Sequence, residues 1–300
     1  MGQGENQGRH TQERGEIYFF YRPKVNKDEA HSADDVQRLY IVLRPESGDK
    51  AVEEKQSPDS GKEGAKRAKD DNKGSDEGGH GRKKVNIEKE PLLRFIVMGK
   101  KSLPDPHKKS RPYWGFVELV TTKIEDVKDA LKGEEYDTAT RGHRHASGAR
   151  PLGEGVYRIL KHEGHTHLIY KLEFPAEREE HQPQESLNIE REASFIIQIK
   201  NPDQHGTSQS QFRGLKLKRK AVFPAHLQGQ FGQLRYCPAD PPDLLNYEGC
   251  EFLLIGASDD IEEELGLELK TEGEMTDASC SDLLKTFGET APASPLLKRT

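Results

Sequence analysis

The chain has 300 residues, of which 32% are hydrophobic and 33% charged, and its formal net charge is −6. That length suits about two domains. The charged share exceeds the usual ~25%, which predicts that part of the chain lies outside any core. An acidic balance makes nucleic acid an unlikely general partner, because phosphate contacts draw on a basic surplus. Cys237, Cys250 and Cys280 show no CxxC spacing and predict a reducing compartment. No apolar run approaches the ~20 residues of a bilayer span, and the polar start lacks a signal-peptide core. The expectation is a soluble intracellular protein of the cytoplasm with no membrane partner. The nucleus is the alternative, because Arg82-Lys83-Lys84 has the composition of an import patch.

In chain order, residues 1–14 carry no apolar periodicity and are expected to be disordered. Strands are predicted at Gly15-Glu16-Ile17-Tyr18, Leu39-Tyr40-Ile41-Val42-Leu43, Phe95-Ile96-Val97 and Trp114 to Val120, followed by a helix from Ile124. Residues 49–90 interrupt this set with alternating lysines and acids and several glycines. Such a stretch buries too little surface to offset its ordering entropy and reads as a disordered insertion. A basic, glycine-rich linker is expected over 139–154.

The same order then recurs: Gly155-Val156-Tyr157, Leu168 to Leu172, Phe195-Ile196-Ile197, Cys250 to Ile255 and a helix from Ile261. Ile124, Val127 and Leu131 share one helical face, as do Ile261, Leu265 and Leu269. Leu215 to Lys220 alternates leucine and lysine as a protected edge strand does. Residues 271–300 read as a flexible tail. Strands in groups, each closed by a helix, predict an α+β fold of mainly antiparallel sheets. Two similar half-units, 15–138 and 155–270, would arise by internal duplication.

Two clusters could carry chemistry. Tyr157 to Lys161 and Thr166 to Leu172 alternate around Glu163-Gly164, which predicts a hairpin with His162 opposite His165. His167 follows on the same face, so the three imidazoles have a spacing that could hold Zn²⁺, set against the plainer reading of exposed strand histidines. Upstream, Arg141, His143, Arg144, His145 and Arg150 lie among glycines with no acid between them. Guanidinium groups bind phosphate through paired hydrogen bonds, so this segment could bind an anion, or could be a solvated linker. Pro238 to Gly249 reads as a rigid loop running into one helical turn, and Trp114 as a core residue. There is no GxSxG, GxxxxGK[ST], HExxH or paired CxxC, so none of the common enzyme classes is indicated.

Gly15 to Val25, Asp34 to Pro45 and Asn246 to Ile255 resemble an uncharacterised plant protein family whose members often carry the label "BTB/POZ domain protein TNFAIP". The resemblance covers most of the chain outside the charged insertion. It implies a protein-interaction domain of the kind that serves ubiquitin ligases as an adaptor, and it brings no catalytic residues. A BTB fold is dominated by amphipathic helices, whereas this chain reads mostly as strands. Because no nucleophile, cofactor loop or strong metal spacing can be named, the function expected is a non-enzymatic protein-binding or scaffold module. The alternative is a phosphate-binding or metal-dependent protein using residues 141–167.

Overall fold

The computed structural model describes residues 9–46, 49–53, 82–108, 111–140, 142–162, 164–174, 184–204, 220–258, 260–265 and 269. Eight strands form the body of the molecule: β1 (Arg9–Pro23), β2 (Val36–Pro45), β5 (Leu93–Met98), β6 (Tyr113–Thr121), β9 (Arg150–His162), β10 (His165–Phe174), β11 (Glu192–Lys200) and β13 (Glu251–Ser258). The pairing runs β1-β2-β5-β6-β13-β11-β10-β9 and returns to β1, every pair antiparallel, so the sheet closes into a barrel. A ninth strand, β12 (Tyr236–Pro238), lies against the far end of β11.

Alternation along each strand explains the closure. Ile17, Phe19 and Tyr21 of β1, Leu39, Ile41 and Leu43 of β2, Tyr157 and Ile159 of β9, and Phe195, Ile197 and Ile199 of β11 all join one buried cluster. Their spacing of two residues places them on one face, the inner one. An eight-stranded barrel is just wide enough for side chains to fill, and large aromatic rings fill this one. Tyr170 packs between Phe19, at 5.0 Å between ring centroids, and Phe195, at 6.2 Å.

The outer face is apolar in two places, and a helix covers each. Tyr18, Phe20, Tyr40, Val42, Leu93, Phe95, Val97 and Phe116 pack with Val127 and Leu131 of α1 (Ile124–Leu131). Leu160 and Ile169 pack with Ile261 and Leu265 of α3 (Ile261–Leu265) and with Leu269. A short α2 (Ala225–Gln228) precedes β12.

These observations correct the expected α+β fold of two half-units. Among the described residues the molecule is mostly β, a single closed antiparallel barrel, and α1 is the one substantial helix. The residues of the two expected units share a wall, because β1 pairs with β9 and β6 with β13. The physical reason is the edges. Four strands alone would leave two rows of backbone groups unpaired, and closure removes both.

Other boundaries move as well. Residues 9–14, expected in a disordered N-terminus, belong to β1. Within the 49–90 insertion, β3 (Asp49–Glu53) pairs with β4 (Arg82–Asn86), and Val52, Val85 and Ile87 are buried. Residues 54–81 lie outside the described residues, as do 215–219 of the expected edge strand and the 271–300 tail. The expected 139–154 linker instead contains β8 (Gly142–Ala146), which pairs with β7 (Glu134–Thr138), and the first residues of β9.

Candidate functional site

Buried apolar side chains, many of them aromatic, line the inside of the barrel. A polar network lies among them. Arg94 projects inward from β5 with no exposed surface and donates from Nη1 and Nη2 to the two carboxylate oxygens of Glu13, at 2.5 and 2.9 Å. Arg94 Nε donates to Asn246 Oδ1 at 2.8 Å, and the Tyr157 hydroxyl donates to Glu13 Oε1 at 2.9 Å. Lys50 reaches in from β3 to Glu13 Oε2 at 2.9 Å. Burial pushes the Glu13 carboxyl up, but Arg94 and Lys50 outweigh it and hold it at about 2. Every charge here is paired, so the network secures the barrel end and leaves no group aimed at a ligand.

A recess lies outside, between the barrel wall, α1 and the β7–β8 ribbon. It has a volume of about 340 Å³ and is lined by Gln37, Arg38 and Tyr40 of β2, Phe95 of β5, Glu118 of β6, and Glu134 and Tyr136 of β7, among others. Tyr40 and Phe95 stack at 5.0 Å and 28° to form an aromatic floor. Cross-strand partners share a face of the ribbon. Glu134, Tyr136, Arg144 and Ala146 therefore share the groove side, and Tyr136 is 42% exposed at its rim.

Arg22 braces this groove. Its guanidinium donates to Tyr40 Oη at 3.0 Å, to the Lys132 and Ser147 carbonyls at 3.0 and 2.7 Å, and to the Ala130 carbonyl at 3.1 Å. Carbonyls at a helix end lack intrahelical partners, and an arginine there satisfies them and complements the helix dipole. At the other end of α1, Thr121 Oγ1 accepts the Lys123 N–H at 3.1 Å, and Glu125 and Asp126 occupy the first turn.

The residues singled out from sequence fall at two separate places. Arg141 lies outside the described residues. His143, Arg144 and His145 are on β8, and Arg150 opens β9 opposite Tyr21. On the ribbon face turned away from the groove, His143 meets Asp137 at 3.3 Å and Glu135 at 3.9 Å. His145 meets Glu135 at 3.6 Å and Asp28 at 3.9 Å. Acids thus surround the histidines of the expected anion-binding segment.

His162 and His165 pair across the hairpin, as the alternation predicts, and His167 shares their outer face. The His162 and His167 rings meet edge to face at 5.9 Å. His167 is buried, its Nδ1 lies 3.1 Å from Ser194 Oγ, and burial together with the neighbouring His162 and His165 lowers its pKa to about 4. The two clusters sit toward opposite ends of β9, whose 13 residues span roughly 40 Å at ~3.3 Å per residue. They form no common pocket. Among the described residues, no three His, Cys, Asp or Glu side chains are already gathered as a metal-holding group.

Other groups with chemical potential are sequestered. Cys237 and Cys250 are buried free thiols. Burial, with Asp240 nearby, pushes Cys237 up to about 12, and burial raises Cys250 as well. Trp114 is half-buried on the outer wall, with Lys200 Nζ 5.4 Å from its ring centre. Asp240 is engaged by Gln12 and Lys161 at 2.6 and 3.1 Å. No described helix is long and apolar enough to cross a membrane.

Comparison with family models, curated proteins and solved structures finds no match to this chain. Apart from Arg144, the residues on the groove side were not singled out from sequence as a site. A usable signal was present in Leu39 to Leu43 and Leu92 to Met98, which are apolar on both faces and so require a cover on the outside as well as a core inside.

Proposed function

We propose that this chain is a non-enzymatic protein-binding module that receives an extended segment of a partner protein in the groove between the barrel wall and the β7–β8 ribbon. The observation that carries this reading is where the space lies. The interior is filled with Phe and Tyr rings and a paired ionic network, while the groove pairs a stacked Tyr40 and Phe95 floor with the accessible ring of Tyr136. Aromatic rings framed by Arg38, Glu118 and Glu134 suit a peptide that inserts an apolar side chain and carries polar flanks. Buried reduced thiols suit the cytoplasm or nucleus as its setting.

The test is affinity capture with the full chain, followed by calorimetry of the captured partner against wild type, Tyr136→Ser and Arg38→Glu. A loss of affinity of roughly tenfold or more in the groove variants, with thermal midpoints unchanged, is expected for contacts at an interface core. Unchanged affinity in both variants overturns the reading.

A further inference from the structure

Closure removes the edges of the eight barrel strands, but the β7–β8 ribbon at the groove keeps its own. On the β8 side the edge is engaged. Asn26 N–H donates to the His145 carbonyl at 2.8 Å, and His145 N–H donates to Asn26 Oδ1 at 3.2 Å. The peptide groups of His145 therefore point away from β7. Residue pairs of an antiparallel ladder alternate between exchanging two hydrogen bonds and exchanging none. Glu135 opposite His145, and Asp137 opposite His143, are thus the pairs that exchange none, and their N–H and C=O groups point to the far edge of β7. Among the described residues, no backbone group bonds to them there. Residues 134–137 are all exposed, so that edge is open to water.

We propose, resting on the peptide-groove reading above, that the partner's segment is basic and adds to the free edge of β7 as a third strand of the ribbon. In strand addition the backbone pairing supplies affinity, and alternate side chains supply selectivity. Side chains of the added strand alternate between the two faces as those of β7 do. Every second one lies on the groove side, beside Glu134 and Tyr136 and toward the stacked Tyr40 and Phe95. The others lie on the far face, beside Glu135 and Asp137. Among the described residues neither of those carboxylates meets a lysine or arginine, and their ion-pair partners are His143 and His145. Opposite charges on neighbouring strands stabilise the pairing, and like charges oppose it. The segment that fits therefore alternates apolar residues with Lys or Arg.

The same acids decide against a second copy of this chain as the occupant. Pairing β7 with another β7 sets Glu135 and Asp137 against one another, and charge on an open edge blocks that kind of association. A basic strand meets no such penalty. The β3–β4 ribbon offers no equivalent surface, because β4 carries the basic run Arg82-Lys83-Lys84 and β3 sends Lys50 to the buried Glu13.

The experiment uses the full chain and a fluorescein-labelled, end-blocked peptide of alternating valine and lysine, about eight residues long, within the ordinary range of a strand. Two analogues carry N-methyl groups on the valine amides or on the lysine amides, since only one of these sets can face β7. Fluorescence anisotropy gives the affinities for wild type, Glu135→Lys/Asp137→Lys and Tyr136→Ser, and hydrogen exchange of amides 134–138 is followed with and without peptide. Expected are binding by wild type, a loss of roughly tenfold or more for one methylated analogue and not the other, a similar loss in the charge-reversed variant, and slower exchange of the Glu135 and Asp137 amides in the complex. The substituted side chains are exposed, so unchanged thermal midpoints establish that the variants fold. No binding of the parent peptide, equal affinity for the two analogues, or indifference to the charge reversal overturns the proposal. A loss on Tyr136→Ser with equal affinity for the two analogues removes strand pairing and leaves the groove reading standing. Indifference to Tyr136→Ser with unequal analogues counts against the groove reading itself and takes the groove-side half of the proposal with it.

Discussion

Arg94 of β5 and Glu13 of β1 form a two-pronged ion pair inside the barrel, although β2 separates their strands in the sheet. The contact spans the inner face of the wall and fixes two non-neighbouring strands against each other. Removing one partner strands a buried charge, which costs about 3–5 kcal/mol. Arg94→Leu and Glu13→Gln should each lower the unfolding free energy by about that amount, measured by urea denaturation. A loss under about 1 kcal/mol would show that the pair is solvated.

The same network sets an acid limit. Glu13 falls from an ordinary 4.5 to about 2 on folding, so its contribution is full above about 4.5 and is lost as pH falls toward 2. His167 falls from 6.5 to about 4, so the unfolded chain takes up a proton that the folded chain refuses between those values. Stability should therefore decline from pH 6.5 to 4 through His167, and further below 4.5 through Glu13. Thermal midpoints taken from pH 7.5 down to about 2.5 check this, and His167→Gln should flatten the upper part of the slope. A slope unchanged by that substitution would contradict the assignment.

Gly15 and Gly155 occupy matching positions on β1 and β9. A Cβ on Gly15 would lie 2.1 Å from the Arg44 carbonyl oxygen, and one on Gly155 would lie 2.0 Å from that of Lys171. Both obstacles are backbone and cannot swing away. Gly15→Ala and Gly155→Ala should each cost several kcal/mol, on the order of 3 or more, or prevent folding. Gly142→Ala faces open space at φ +63° and should cost about 1 kcal/mol. Equal, small effects at all three positions in chemical denaturation would contradict this packing.

At Gly115 the obstacle is a side chain. A Cβ there would lie 2.1 Å from the Phe252 ring. Gly115→Ala should destabilise by about 1–3 kcal/mol, and Phe252→Leu in the same chain should recover part of the loss. Strict additivity of the two changes in a double-mutant cycle would show that the residues do not share that space.

These strained approaches also mark what the sequence could and could not convey. The barrel strands and the helices after Thr121 and Ser258 were legible because their apolar residues repeat every two or every three to four positions. Closure was not, since nothing in Gly15 to Tyr21 or Gly153 to Ile159 names the other as partner. The β7–β8 ribbon escaped notice because Glu134-Glu135-Tyr136-Asp137-Thr138 and Gly142-His143-Arg144-His145-Ala146 are poor in β-branched residues and rich in charge. It holds by docking on the 26–28 loop and the wall. The β3–β4 ribbon was hidden likewise, because its buried Val52 and Val85 stand isolated among charged residues. Arg94 carries a usable signal of its own: a lone arginine in Leu92 to Met98 asks for a buried partner. Its partner Glu13 lies 81 residues away, in a stretch that reads as disordered.

Cys237 and Cys250 are buried, with thiol pKa values raised above the ordinary range. Thiol reagents such as dithionitrobenzoate should react with neither in the folded chain at pH 8 over minutes, and with both once urea unfolds it. Rapid modification of either in the native state would place it outside the core.

The central claim is that strands from both halves of the sequence close one barrel, on whose outer wall the proposed binding groove lies. Cross-strand backbone NOEs in the uniformly labelled full chain test it most directly. The account predicts contacts linking β1 to β9, β6 to β13 and β10 to β11, among them Ile17 to Gly155 and Leu168 to Phe195. Two self-contained sets of contacts, one within residues 9–121 and one within 150–258 with none between them, would contradict it.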